Sequence, residues 1–336
     1  MPLDEVLPYY HPTTVVLLDD NESFLKSFSL QLPEKLSWLT FTSARRCLDY
    51  VNATPSRSLE DVCLSLYRSG KRGNNDLLSM DLTLIEQEIA NPERFSNISV
   101  LMVDYDMPVM DGLEFCRSIE NPRIRKILLT GVADEKIAVS AFNDGLIHRY
   151  FQKSAPDIIH RLNSTIAEMQ RAYFQDTSRF IQSALAMKSP DFFHDPAFVA
   201  TFEAITQKYN VVEYYYVEAP RGILMVSEQG ALYRLVIFSD QDLEHELFQL
   251  RQHQAPASVT GKVSAGSHIP CLWVMPEHPA ELEEFDWESC LYPARQLRGA
   301  QRWRYALIPD PPAYIEYDPE SSSYARFLAR ASSRHL

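Results

Sequence analysis

The sequence predicts an α/β domain on a doubly wound, five-stranded parallel sheet with a helical insertion, followed by an α+β C-terminal domain. Three observations predict it. Five short apolar runs, at 13–18, 36–41, 100–103, 126–130 and 147–151, alternate with stretches of helical periodicity. Polar residues stand at or just beyond the ends of four of those runs: Asp19-Asp20, Asp104, Thr130 and Lys153. Beyond residue 190 the alternation stops, and a helix is followed by three strand-like runs in succession.

The run Thr13–Leu18 is continuous and β-branched, which reads as a buried strand. Asn21 is a good N-cap for a helix whose inner face carries Phe24, Leu25, Phe28 and Leu32. Leu36–Phe41 is the second strand, and Ser43 caps a helix with Leu48 and Val51 inward. Val100–Val103 is the third strand, ending at Asp104. A loop shaped by Pro108 and Gly112 leads into a helix from Leu113. Lys126–Thr130 is the fourth strand, Ala133–Phe142 a helix, and Ile147–Phe151 the fifth strand. Pro156 opens a further helix, where its missing N–H costs nothing. Its row Ile159, Leu162, Ile166, Met169, Tyr173 has the spacing of a short coiled-coil seam or of a helix packed on its own domain.

The stretch 53–98 is too long for a connection. Leu59–Tyr67 and Leu77–Ile89 have helical spacing around a loop at Ser69–Asn75, so a helical hairpin is expected, as a packing appendage or a docking arm. The divisions that follow are an N-terminal extension (1–12), a first domain (13–155) carrying the insertion, an extended helix or linker (156–189) and a second domain (190–336). In the last, Asp195 caps a helix over Pro196–Tyr209. Val211–Val217, Gly222–Val226 and Ala231–Phe238 read as strands, and Asp240–Gln252 as a helix.

A chain of 336 residues with 46% hydrophobic content suits two domains with their own cores. The net charge of -13 argues against nucleic-acid binding through bulk charge. No apolar run reaches transmembrane length and no signal-peptide pattern is present, so a cytoplasmic protein with no membrane partner is expected. The five cysteines are scattered without a CxxC pair, which fits reduced structural thiols.

Ligands of such sheets bind outside the carboxyl ends of the strands, where Asp19, Asp20, Asp104, Thr130 and Lys153 are all placed. A carboxylate attacks a phosphate group poorly because both groups carry negative charge, and a divalent cation removes that obstacle. Mg²⁺ takes oxygen ligands, usually one or two carboxylates with water and phosphate oxygens. Asp20 and Asp104 can supply carboxylates, Asp19 a contact through water, and Asp106 its backbone carbonyl. Asp104 is then the phosphoacceptor, with Lys153 and the Thr130 hydroxyl on the phosphoryl oxygens.

Residues from about 13 to 170, less the insertion, resemble the receiver domain of two-component response regulators, a flavodoxin-like, CheY-like fold. The matching motifs are LLDD at Leu17–Asp20, VDYDMPVMDG at Val103–Gly112, LLTG at Leu128–Gly131, and Lys153. The resemblance implies a sensor histidine kinase as phosphodonor, Thr130 and Tyr150 as the switch pair, and homodimerisation on phosphorylation. It implies no enzyme beyond self-phosphorylation and dephosphorylation. One departure is Ser154, where the family has a cis proline after the lysine. A non-proline cis bond costs about 2.5–4 kcal/mol, so the loop is expected to be trans with a differently aimed lysine, or strained.

The layout as a whole is similar to quorum-sensing response regulators of the Lqs type. No helix-turn-helix stands out in 190–336, which has 20 acidic against 12 basic residues. Arg295, Arg298, Arg302 and Arg304, with Trp303 and Tyr305, are the candidate ligand residues for phosphate, nucleotide or nucleic acid, or else a charged edge strand. The alternatives are therefore a transcription regulator with an atypical DNA-binding output and an output enzyme or nucleotide-binding module.

Overall fold

The computed structural model describes residues 3–55, 58–67, 77–131, 135–188, 192–276, 282, 284–312 and 315–332. The loop expected at Ser69–Asn75 lies outside them. The chain forms two compact units that interleave in sequence. Elements are numbered along the chain, so the numbers of the two units alternate.

One unit comprises His11–Val62, Pro92–Arg179 and the chain from Phe327. Its sheet has the order β3-β2-β6-β7-β8, from β2 (Thr14–Leu18), β3 (Ser37–Phe41), β6 (Ile98–Asp104), β7 (Arg125–Thr130) and β8 (Arg149–Gln152). Every neighbouring pair is parallel. The sheet is apolar on both faces because both are covered. Val16, Leu18, Leu101, Val103 and Leu128 pack under α2 (Ala44–Ala53), α5 (Gly112–Arg117) and α6 (Glu135–Asn143). Val15, Leu17, Val100, Met102 and Ile127 pack under α1 (Glu22–Ser29) and α7 (Ile158–Thr177). Asn21 and Ser43 accept from Phe24 N and Arg46 N, the capping bonds their positions predict.

The row Leu162, Ile166 and Met169 packs in this core, so the seam in the sequence belongs to the helix's own domain. The helix also ends at Thr177, with Ser178 as its C-cap, and α8 (Arg179–Lys188) follows as a separate element.

The other unit gathers the residues up to Tyr10, Cys63–Asn91 and Phe180–Arg326. Its six-stranded antiparallel sheet has the order β1-β9-β10-β11-β15-β14. The strands are β1 (Tyr9–Tyr10), β9 (Val211–Val217), β10 (Gly222–Ser227), β11 (Leu232–Ser239), β15 (Arg302–Pro309) and β14 (Arg295–Arg298). One face, with Val236, Phe238, Ala306 and Ile308, packs on α10 (Asp240–Gln252) and α11 (Ala257–Ser264). The opposite face meets α9 (Pro196–Lys208), whose Phe202 ring lies 4.9 Å from that of Tyr214. A small ladder of β12 (His268–Pro270) and β13 (Leu291–Pro293) adjoins it. Helices α12 (Pro319–Ser322) and α13 (Tyr324–Ser332) end the described chain.

Two assignments of the sequence shift here. The N-terminal stretch is a working strand: Tyr9 and Tyr10 pair with Tyr215 and Tyr214, and Val6 N donates to Phe193 O. The insertion is only partly helical, with α3 (Leu59–Cys63) and α4 (Leu84–Gln87) as its helices. Between them β4 (Leu64–Tyr67) and β5 (Leu77–Met80) pair antiparallel, matching Leu64 with Met80, Ser65 with Ser79 and Leu66 with Leu78. Pairing the two segments satisfies backbone N–H and C=O groups across the ladder, which two helices of four or five residues would leave largely unpaired. Most of the insertion, Cys63–Asn91, groups with the antiparallel unit, where α4 packs against β9.

Candidate functional site

The carboxyl ends of β2, β6, β7 and β8 converge on one edge. Strand β2 delivers Asp19 and Asp20, β6 ends on Asp104, β7 on Thr130, and Lys153 follows β8. Lys153 N donates to Thr130 O at 3.0 Å, which extends the ladder one residue and fixes the lysine beside Thr130. The Lys153 ammonium lies 2.7 Å from Asp19 Oδ2, 2.9 Å from Asp104 Oδ1 and 4.9 Å from the Phe24 ring centroid. The Lys153–Ser154 bond is trans, since the one cis bond among the described residues is Ala219–Pro220. The expectation of a differently aimed lysine is corrected: its long side chain reaches both carboxylates without the proline.

Asp19, Asp20 and Asp104 each present an oxygen, and the three lie within 4.8 Å of one another. Asp19 and Asp104 are buried, while Asp20 is exposed. Burial raises the Asp104 carboxyl above its ordinary value. Lys153 opposes that rise, and Asp19 and Asp20 add to it. On Lys153, burial alone would lower the ammonium, but hydrogen bonds to Asp19 and Asp104 outweigh it and the net shift is upward. Three carboxylates against one ammonium leave the cluster short of positive charge. All the donors are oxygen, so the residues fit a hard divalent cation. Asp106 lies in the exposed loop two residues on, and its carboxylate is outside the cluster.

The loop after β6 is held from both ends. Tyr105 N donates to Leu129 O at 2.8 Å, and Gly112 N to Tyr105 O at 3.0 Å. Asp111 accepts from Leu113 N and Glu114 N, capping α5. A Cβ at Gly112 would overlap the Asp104 carbonyl oxygen and come within 3.0 Å of Tyr105 Cα, so the backbone passes where only glycine fits. Val109, at the loop tip, has φ +77° and is fully exposed, a strained conformation for a β-branched residue.

Thr130 is fully buried, and its hydroxyl faces the Phe151 carbonyl at 3.5 Å. Tyr150 is half-buried, edge-on to Phe142 with 6.4 Å between ring centroids. On α6 the side chains of Ile137, Val139 and Phe142 are exposed.

The four arginines of the second region do not form one cluster. Arg295 lies opposite Tyr305, and Arg298 opposite Arg302, so Arg295 is on the α9 side of the sheet and Arg298, Arg302 and Arg304 on the other. Arg302 pairs with Asp240 at 2.8 Å, and Arg304 bonds the same carboxylate. A feature missed in sequence stands nearby: Asp195, read only as a cap, accepts from Ala197 N and Phe198 N, and also from Ala300 N and Trp303 Nε1. Its partners 105 and 108 residues away leave no local signal.

The structure is similar to that of the Legionella pneumophila response regulator LqsR, at 32% identity and a TM-score of 0.80, over 100% of this chain and 99% of that one. A response regulator receiver domain protein from Clostridium thermocellum matches at 18% identity and a TM-score of 0.31, over 47% of this chain and 94% of that one. An adenylate cyclase from Rhodopirellula baltica matches at 20% and 0.36, over 53% and 99%. No family model and no curated protein matches the sequence. With likeness to LqsR over the full length of both chains, and the aspartates, threonine and lysine on one sheet edge, the chain belongs to the two-component response regulators and is of the LqsR type.

Proposed function

We propose that this response regulator is switched by phosphorylation of Asp104 from a sensor histidine kinase, and that its second unit acts by binding. The carrying observation is the convergence of Asp19, Asp20 and Asp104 within 4.8 Å, with the Lys153 ammonium against two of them. Asp19, Asp20 and Asp104, with the Asp106 carbonyl, would hold Mg²⁺, which when bound supplies charge neutralisation between carboxylate and phosphoryl group. An Asp104 carboxylate oxygen attacks phosphorus of the donor's phosphohistidine. The P–N bond breaks, the electron pair and a proton end on the imidazole, and an acyl phosphate forms. Lys153 pairs with a phosphoryl oxygen and the Thr130 hydroxyl donates to another. Water later cleaves the acyl phosphate.

The new contacts to phosphate bias an existing two-state equilibrium through Thr130 and Tyr150. Exposed Val139 and Phe142, on one side of α6 with Phe142 edge-on to Tyr150, supply an apolar face for a homodimer. The Lqs-type layout supports a place in quorum-sensing control. With Arg302 and Arg304 engaged by Asp240, no single basic face among the described residues supports a DNA-binding output.

The test is incubation with Mg²⁺ and acetyl phosphate. Wild type is expected to take up phosphate and Asp104→Asn to take up none. Equal uptake by both would end the assignment.

A further inference from the structure

Strand β14 is the outermost strand of the antiparallel sheet. Ala294 N, just before it, donates to Ser267 O, but from Arg295 onward no strand pairs with its outer edge among the described residues. An open edge is a row of N–H and C=O groups able to accept one more strand. Beside it, between α9 and the sheet, runs a groove of about 640 Å³. Its lining is mainly apolar, with Ile205 from α9 and Tyr305 and Leu307 from the sheet, and it includes the cations Lys208 and Arg295.

No acidic residue lines the groove. Among the described residues neither Lys208 nor Arg295 has a carboxylate partner, in a chain whose net charge is -13. Arg298, at the far end of the same strand, is likewise exposed. The cations here have no internal charge to balance, whereas Arg302 and Arg304 on the other face do.

We propose that this unit captures an extended acidic peptide segment of a partner protein, which adds as a strand to the β14 edge and lays alternate apolar side chains in the groove beside α9. An extended peptide satisfies both features at once. Its backbone bonds to the open edge, and every second side chain points to the same face, toward Tyr305 and Leu307. Acids flanking the apolar residues on that same face meet Arg295 and Lys208, and an acid on the opposite face meets Arg298. The proposal takes up the binding role proposed for this unit, and stands or falls apart from the chemistry at Asp104.

The test is selection of random decapeptides displayed on phage against the full-length protein. The expected result is enrichment of sequences with apolar residues at every second position and Asp or Glu among the rest. Binding of the synthetic peptides should weaken about tenfold or more in the double variant Lys208→Glu, Arg295→Glu. It should weaken equally when alternate peptide amides are N-methylated, which removes the ladder donors and leaves the side chains. Unchanged thermal unfolding and unchanged Asp104 labelling show that the double variant is folded. No enrichment, enrichment of basic sequences, or peptides held equally by the double variant would each overturn the proposal. So would an oligo(dT) single strand binding in the groove and depending on the same two cations, which would make it a nucleic-acid site.

Discussion

At Asp104 the charge balance decides behaviour. Its carboxyl is raised, first by burial and then by Asp19 and Asp20, against the pull of Lys153. Without metal, its contribution to stability is present below the unfolded value of about 3.9 and lost as pH rises through the higher folded value. Asp104→Asn removes that cost. The metal-free variant is expected to be more stable than wild type near neutral pH by about 1 kcal/mol, read by thermal unfolding in EDTA. Mg²⁺ held by the charged carboxylates would reverse the sign. At ten times its Kd it should stabilise wild type by about 1.4 kcal/mol and the variant by less. The gain should fade on acidification at a higher pH than exposed aspartates would give. Lys153 is only partly legible in the sequence. The sequence puts it at the right strand end, but Ser154 left its aim open. Only the path of the backbone shows that a trans bond brings the ammonium to both aspartates.

Elements were legible where their signals are local. All five parallel strands lie on the apolar runs, four of which end at polar residues, and Asn21, Ser43 and Asp195 cap the helices their sequences announce. Pairings between distant segments were not. Nothing around Tyr9 says that it pairs with Tyr215, and nothing in Leu64–Tyr67 says that its partner begins at Leu77. The reach of Asp195 to Ala300 and Trp303 is of this kind. Asp195→Ala removes a cap and orphans the buried Trp303 N–H, so a loss of about 2–4 kcal/mol is expected in urea unfolding. Burial works to raise the Asp195 carboxyl, but its four N–H donors prevail and hold it low. Its contribution is therefore present above the unfolded value and lost as pH falls through the lower folded one. At Gly112 the constraint is steric. Gly112→Ala would push the loop off Asp104, and a loss of about 1–3 kcal/mol with slower phosphorylation is expected.

On the scale of the whole molecule, the sequence order hides the architecture. The stretch Cys63–Asn91 is inserted among elements of the parallel-sheet unit yet groups with the antiparallel one, as do the first residues of the chain. A linear reading assigns an insertion to the domain it interrupts, because composition carries no record of what the stretch packs against. In the likeness to LqsR the match extends over both units. If phosphorylation works through the face of α6 and Tyr150, light scattering should show mass doubling with acetyl phosphate and Mg²⁺. Phe142→Glu should abolish the doubling while leaving phosphate uptake intact. All of this rests on where the phosphoryl group goes. Borohydride reduces an aspartyl phosphate to homoserine, which survives digestion and can be located by peptide mass spectrometry. After treatment with acetyl phosphate and Mg²⁺, homoserine is expected at position 104. Homoserine at another position, or at none, would contradict the account.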